Sequence, residues 1–309
     1  MNERNPGSSI KAFPPEICDL IISYLSDYPH ILRKVMLNVQ HFGSLDHLEM
    51  VDVQWDALWR DDGLGLLNAP VMKQVTTMFL GAVEVEYLDD VAAFIGHAFP
   101  RLHQLVVSLE VFSDGNEDED EGSDIDEAEV ALWDVSTNPP PPPHGWTKFV
   151  VQDHPMYPTP TGYWWRWFTK AKFTGLRSIT LGGIPKEDYP LIEAYLGVAG
   201  HSLVHLGVGV ACLEDLDLFV GHRILRSCTN IESLRISQPG RVIHERWAKA
   251  ESTKVFRHMF SSFTARHLRI VLLPVTEDWH MVDYGIRVEG ALTGERFPSL
   301  ESVEFINDS

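Results

Sequence analysis

A hexapeptide of the form Leu-x-x-Leu-x-apolar recurs along the chain, and no other feature restricts its fold as strongly. It reads Leu45, Leu48, Met50, then Met72, Val75 with Thr77 as a weak third position, then Leu102, Leu105, Val107 and Leu176, Ile179, Leu181. Leu203, Leu206, Val208 and Ile231, Leu234, Ile236 repeat it, Leu268 with Ile270 gives a partial copy, and Leu300, Val303, Phe305 closes the series. The first residues of the clear copies lie 27, 30, 74, 27 and 28 residues apart, with 69 from Ile231 to Leu300. In each copy the first apolar residue plugs the corner where the chain turns into a short strand. The other two, separated by one residue, point to the same side of that strand.

Between the copies, segments 55–67, 87–98, 187–198, 213–228, 245–261 and 279–292 carry helical periodicity. A strand alternating with a helix every 28 or so residues predicts an α/β solenoid, with a parallel sheet on one face and helices on the other. The period falls in the leucine-rich-repeat range of roughly 20 to 29 residues. The long interval holds an insertion whose acidic and Pro-rich part, at about 113–145, is expected to be disordered: it has little to bury and repels itself. The proline run 139–143 favours an extended polyproline II path, and the aromatic block Tyr163, Trp164, Trp165, Trp167, Phe168 marks ordered structure again. Those tryptophans either pack in the core or anchor an interface.

The formal charge of −19 disfavours nucleic acid and anionic membrane, which both call for a surplus of Lys and Arg. Ten acidic residues and no basic one lie within 114–129, so the remainder carries about −9, a mild balance. Cys18, Cys212 and Cys228 are too few and too scattered for a disulfide framework or a Cys-rich metal site. With no run of 18 uncharged apolar residues and no signal-like start, the expectation is an intracellular protein, cytoplasmic or nuclear.

At the amino terminus, 13–25 reads FPPEICDLIISYL, with Pro14 and Pro15 opening a helix and Ile17, Leu20, Ile21 and Leu25 on one face. This stretch resembles the start of an F-box, and the combination resembles fungal F-box-like proteins in which such a segment precedes degenerate leucine-rich repeats. The second half of the F-box is shortened: after Tyr28-Pro29 the chain passes directly to a repeat-like strand. The resemblance implies that Pro14, Pro15, Glu16, Ile17, Leu20 and Ile21 bind a Skp-type linker of a cullin ubiquitin ligase while the repeats hold a substrate protein. Capping the first repeat is the alternative role for that helix. The expected organisation is a disordered start with a short F-box-like helical cap over 1–29 and one leucine-rich-repeat-like domain over 30–309.

No constellation for catalysis, metal or cofactor emerges. Asp114, Asn116 and Asp118 have the opening spacing of a calcium loop, but Glu119 stands where its turn needs Gly and Ile125 where it needs a bidentate Glu. His201 and His205 are four apart, across a corner and a strand where helical metal-ligand geometry fails. Gly207-Val208-Gly209 lacks the rest of a dinucleotide loop. The expected function is therefore protein binding without enzymatic activity. From the strand pleat, Glu49, Gln104, Thr180, His205, Arg235 and Glu304, with Ser108, Ser178, Ser233 and Ser302, should line the concave face that a partner contacts. A scaffold, or a degenerate relative that no longer binds the linker, is the second reading.

Overall fold

The structure is a computed structural model describing residues 46–51, 72–84, 88–110, 139–152, 161–184, 186–209, 221–222, 224–237, 265–274 and 292–306, with Phe260 and Phe263. Among these residues nine strands form a single sheet in chain order. They are β1 (His47–Val51), β2 (Thr77–Glu84), β3 (Gln104–Glu110), β4 (Lys148–Val151), β5 (Ser178–Gly183), β6 (His205–Gly209), β7 (Ser233–Ser237), β8 (Ile270–Pro274) and β9 (Ser302–Ile306). Every neighbouring pair is parallel.

The register joins the repeated apolar residues into one continuous row: Leu48, Met78, Leu105, Phe149, Ile179, Leu206, Leu234, Val271 and Val303 are successive Cα partners. The first eight are buried, and Val303 packs on the same core from the last strand. Fully burying one such aliphatic side chain is worth about 1.5–3 kcal/mol, so the row is a principal source of cohesion between rungs. At each corner one carbonyl accepts two N–H groups from the next rung. Asp46 O receives Thr76 and Thr77, Thr76 O receives His103 and Gln104, and the pattern continues to Arg269 O, which receives Glu301 and Ser302. Satisfying corner backbone in this way lets a parallel edge turn without leaving buried polar groups unpaired.

Three rungs differ from the sequence expectation. The second is Val75, Met78, Leu80, three residues later than the Met72, Val75, Thr77 reading, and Thr77 lies in the outward row. The partial copy is complete as Leu268, Val271, Leu273, all buried, while Ile270 aligns with outward Ser233 and Ser302. The long interval contains a further rung, Trp146, Phe149, Val151, which carries β4. Here an indole fills the corner that an aliphatic side chain fills in the other described rungs.

Helices α1 (Leu88–Ala98), α2 (Gly162–Lys170) and α3 (Tyr189–Ala199) pack behind the sheet. In α1, Val91, Ala92, Ile95 and Ala98 recur at helical spacing on the buried side, and Asp89 and Asp90 sit in the first turn, where the helix dipole favours acids. Helix α2 buries Tyr163, Trp164, Trp165, Trp167 and Phe168 together. Their rings interlock with Trp146, Phe149 and Tyr195 at centroid separations near 5–6 Å. This settles the tryptophans as core. The helix ends on Lys172 in the left-handed region (φ 50), where the Phe173 and Lys172 amides bond back to Phe168 and Thr169 carbonyls.

The proline run joins this cluster. Trp167 Nε1 donates to the Pro140 carbonyl at 2.6 Å, and a Cβ on Gly96 of α1 would stand 3.0 Å from the Pro141 oxygen. Pro142 and Pro143 are buried. The acidic run 114–129 lies outside the described residues, as do the helical expectations at 55–67, 245–259 and 279–291. The end of the 213–228 segment is a short 3-10 turn, Ile224–Ser227.

Candidate protein-binding face

The side of the sheet opposite the helices presents two outward rows. One runs His47, Thr77, Gln104, Lys148, Ser178, His205, Ser233, Ile270, Ser302. The other runs Glu49, Phe79, Val106, Val150, Thr180, Gly207, Arg235, Leu272, Glu304. Strand spacing places neighbours in a row about 5 Å apart, and the two rows about 7 Å apart along the strands. All six of the named binding candidates, Glu49, Gln104, Thr180, His205, Arg235 and Glu304, stand in these rows. Glu49, His205, Arg235 and Glu304 are exposed, and Gln104 and Thr180 are half-buried. The F-box-like candidates Pro14, Pro15, Glu16, Ile17, Leu20 and Ile21 lie outside the described residues.

Sequence reasoning missed the apolar part of this face. Phe79, Val106 and Val150 are consecutive register partners. The Phe79 ring lies along its own strand over Gly81, where a Cβ would come within 2.4 Å of Phe79 Cε1, so only glycine permits that placement. Gly207 makes a second dip: a Cβ there would meet Thr180 Cγ2 at 3.1 Å. Lys148 was missed with its rung, and it is exposed between Gln104 and Ser178.

Exposed polar contacts line the rim. Arg269 donates through Nε and Nη2 to both Glu301 oxygens at 2.8 and 2.9 Å. That hydrogen-bonded pair lowers the Glu301 carboxyl and raises the Arg269 guanidinium from their ordinary pKa values. His103 Nδ1 lies 2.8 Å from the Gly145 carbonyl, which accepts only, so this nitrogen carries the proton. Asn230 donates to the His201 carbonyl at 2.6 Å, tying adjacent corners.

The buried titratable groups lie behind the sheet. Thr161, at the start of α2, donates its hydroxyl to Asp188, at the start of α3, and the two are 2% and 1% exposed. Burial pushes the Asp188 carboxyl up to about 6, against the opposing effect of the Thr161 hydrogen bonds. Tyr163 donates to Asp89 at 2.8 Å and is raised by burial and by that bond. Burial also raises Tyr195 and pushes the Cys228 thiol up to about 12. Among the described residues no three His, Cys, Asp or Glu side chains group as metal ligands, and His201 and His205 are both exposed. No described helix is long and apolar enough to cross a membrane.

A single sheet of parallel rungs, a helical layer behind it and a shared corner motif define a leucine-rich-repeat-like α/β solenoid. No protein-family model matches the chain, and no curated protein matches it. Among solved structures, the leucine-rich repeat-containing protein LegL7 from Legionella pneumophila is similar at 13% identity and a TM-score of 0.44. The likeness spans 98% of this chain and 89% of that one.

Proposed function

We propose that the protein is a non-catalytic binding protein whose outward sheet face receives another protein. The observation that carries this reading is the face itself: nine adjacent strands present two outward rows, every position but Gly207 carrying a side chain, a surface suited to an extended or convex partner. Among the described residues, the acid–hydroxyl pair Asp188 with Thr161 is buried in the core and not on this face.

By its resemblance the amino-terminal segment makes the protein an F-box-like adaptor, with Ile17, Leu20 and Ile21 seated on a Skp-type linker and the repeats presenting a substrate to a cullin-type ubiquitin ligase. Such an adaptor works inside the cell, in cytoplasm or nucleus. The test is co-elution of full-length protein with a purified Skp-type linker on size exclusion, beside an I17D/L20D variant. Co-elution lost in the variant supports the adaptor reading. Absence of co-elution for the unaltered chain removes it and leaves the scaffold reading, which the shortened second half of the F-box favours.

A further inference from the structure

Charge on the central rungs is segregated in a way that the overall −19 conceals. Across 99–108, 139–152, 161–184 and 199–209, which hold β4, β5, β6 and β3 as far as Ser108, there is no Asp or Glu; β2 and β3 end on the paired positions Glu84 and Glu110. The same residues include Arg101, Lys148, Lys172 and Arg177, all exposed. Lys148 projects from the outward row, and Arg177 lies at the rim beside it, since the Arg177 and Ser178 amides both bond to the Thr147 carbonyl. The Arg177 guanidinium donates to the Ser202 carbonyl at 3.1 Å and has no carboxylate partner among the described residues. Lys148 has no ion pair with a described residue. His103 and His205 flank the two cations on neighbouring rungs. Acids return away from this patch, as Glu49 on β1 and Glu304 on β9 in the outward rows, and as Asp46, Glu232 and Glu301 along the rim.

Beside the cations, one row further along the strands, lies the apolar run Phe79, Val106, Val150, of which Phe79 and Val150 are half-buried. Cations with no acid among them, next to apolar side chains on an open sheet face, complement a partner that brings carboxylates and aliphatic groups on one extended strand. Building on the protein-binding reading, we propose that β2 to β6 bind an acidic, extended segment of a partner protein. Its apolar side chains rest on Phe79 and Val150, and its carboxylates meet Lys148 and Arg177. A nucleic acid fits less well, because its backbone brings a phosphate at every step and no aliphatic side chain to rest on Phe79 and Val150.

The test is fluorescence anisotropy of a fluorescein-labelled peptide of alternating Glu and Val, titrated with full-length protein at low and high salt. The expected result is saturable binding that weakens with salt, about tenfold weaker in K148E/R177E and several-fold weaker in F79S. R226E, which makes a single charge reversal on the turn before β7, leaves it unchanged. K148Q/R177Q, checked for fold by circular dichroism, weakens it in the same direction should the reversal variant misfold. Equal loss in R226E overturns the proposal, as does tighter binding of oligothymidylate than of the peptide. Binding that tightens tenfold when the acids of 114–129 are changed to Asn and Gln also overturns it, by making the chain's own run the occupant. If the peptide does not bind, yet a partner protein is held and then lost in E49K/E304K, only the central location falls and the binding function stands.

Discussion

Asp188→Asn isolates a single buried charge, and its effect can be worked out before it is measured. Asp188 is 1% exposed at the start of α3, and burial raises the pKa of its carboxyl from 3.8 to about 6. The unfolded chain releases this proton near 3.8, so between pH ~4 and ~6 the folded state binds more protons than the unfolded one. Stability therefore falls as pH rises through that window, by about 3 kcal/mol at 1.36 kcal/mol per pKa unit. An amide at this position can still accept from Thr161 but cannot ionise. It also introduces an NH2 group, whose lack of a partner in the core costs about 1–3 kcal/mol at every pH. That constant offset drops out when the pH dependence alone is compared. Urea unfolding followed by tryptophan fluorescence at several pH values reports it, given equal m values for the two proteins. The variant should gain about 3 kcal/mol relative to the native chain between pH ~4 and ~7. Parallel stability curves for the two proteins would refute a buried, ionising Asp188.

Trp146→Ala should cost about 3–5 kcal/mol in the same unfolding assay, because its ring fills a corner against Phe149, Trp167, Phe168 and Phe173. A loss below about 1 kcal/mol would mean that the corner collapses around the vacancy. Gly200→Ala should lower the melting temperature, since its Cβ would stand 2.9 Å from the Ser227 backbone of the next rung; an unchanged melt would show that the rungs separate easily. Glu301→Ala should leave the melt unchanged, because the Arg269 pair is solvent-exposed. Cys228, buried and with its thiol raised to about 12, should resist iodoacetamide at neutral pH until urea unfolds its rung, as read by peptide mass spectrometry.

The parallel sheet was legible because its teeth are aliphatic and evenly spaced: Leu105, Ile179, Leu206 and Leu234, read from the sequence as one row, do share a row, with Phe149 between the first two. The rung carrying that Phe149 was illegible for a chemical reason. Its corner is Trp146 and its first tooth is an aromatic ring, sizes that an aliphatic pattern does not anticipate. They fit because α2, directly behind, supplies Trp164, Trp167 and Phe168 to match them. The aromatic block of 163–168 was noticed as ordered structure, but nothing local in the sequence indicates that it faces Trp146, since that pairing is set by the solenoid. The Asp188–Thr161 pair was invisible for the same reason: the two residues are 27 apart and meet only because two helix starts converge.

The outward face was misread through parity. Placing the second rung at Met72, Val75, Thr77 instead of Val75, Met78, Leu80 is a slip of three residues, an odd number, and an odd slip exchanges the two faces of a strand. In the slipped register Phe79 points inward with Val75 and Thr77. In the observed one it aligns with Val106 and lies over Gly81 on the open face. The slip, with β4 overlooked, left a face that looked small and polar, without Phe79, Lys148 or Val150. Corner chemistry could have fixed the register. Thr76 follows its corner residue as Thr147 does, and each hydroxyl bonds back to the preceding rung's carbonyl, Asp46 and His103 respectively. A Thr after an apolar corner thus marks where a strand begins even when its teeth are ambiguous.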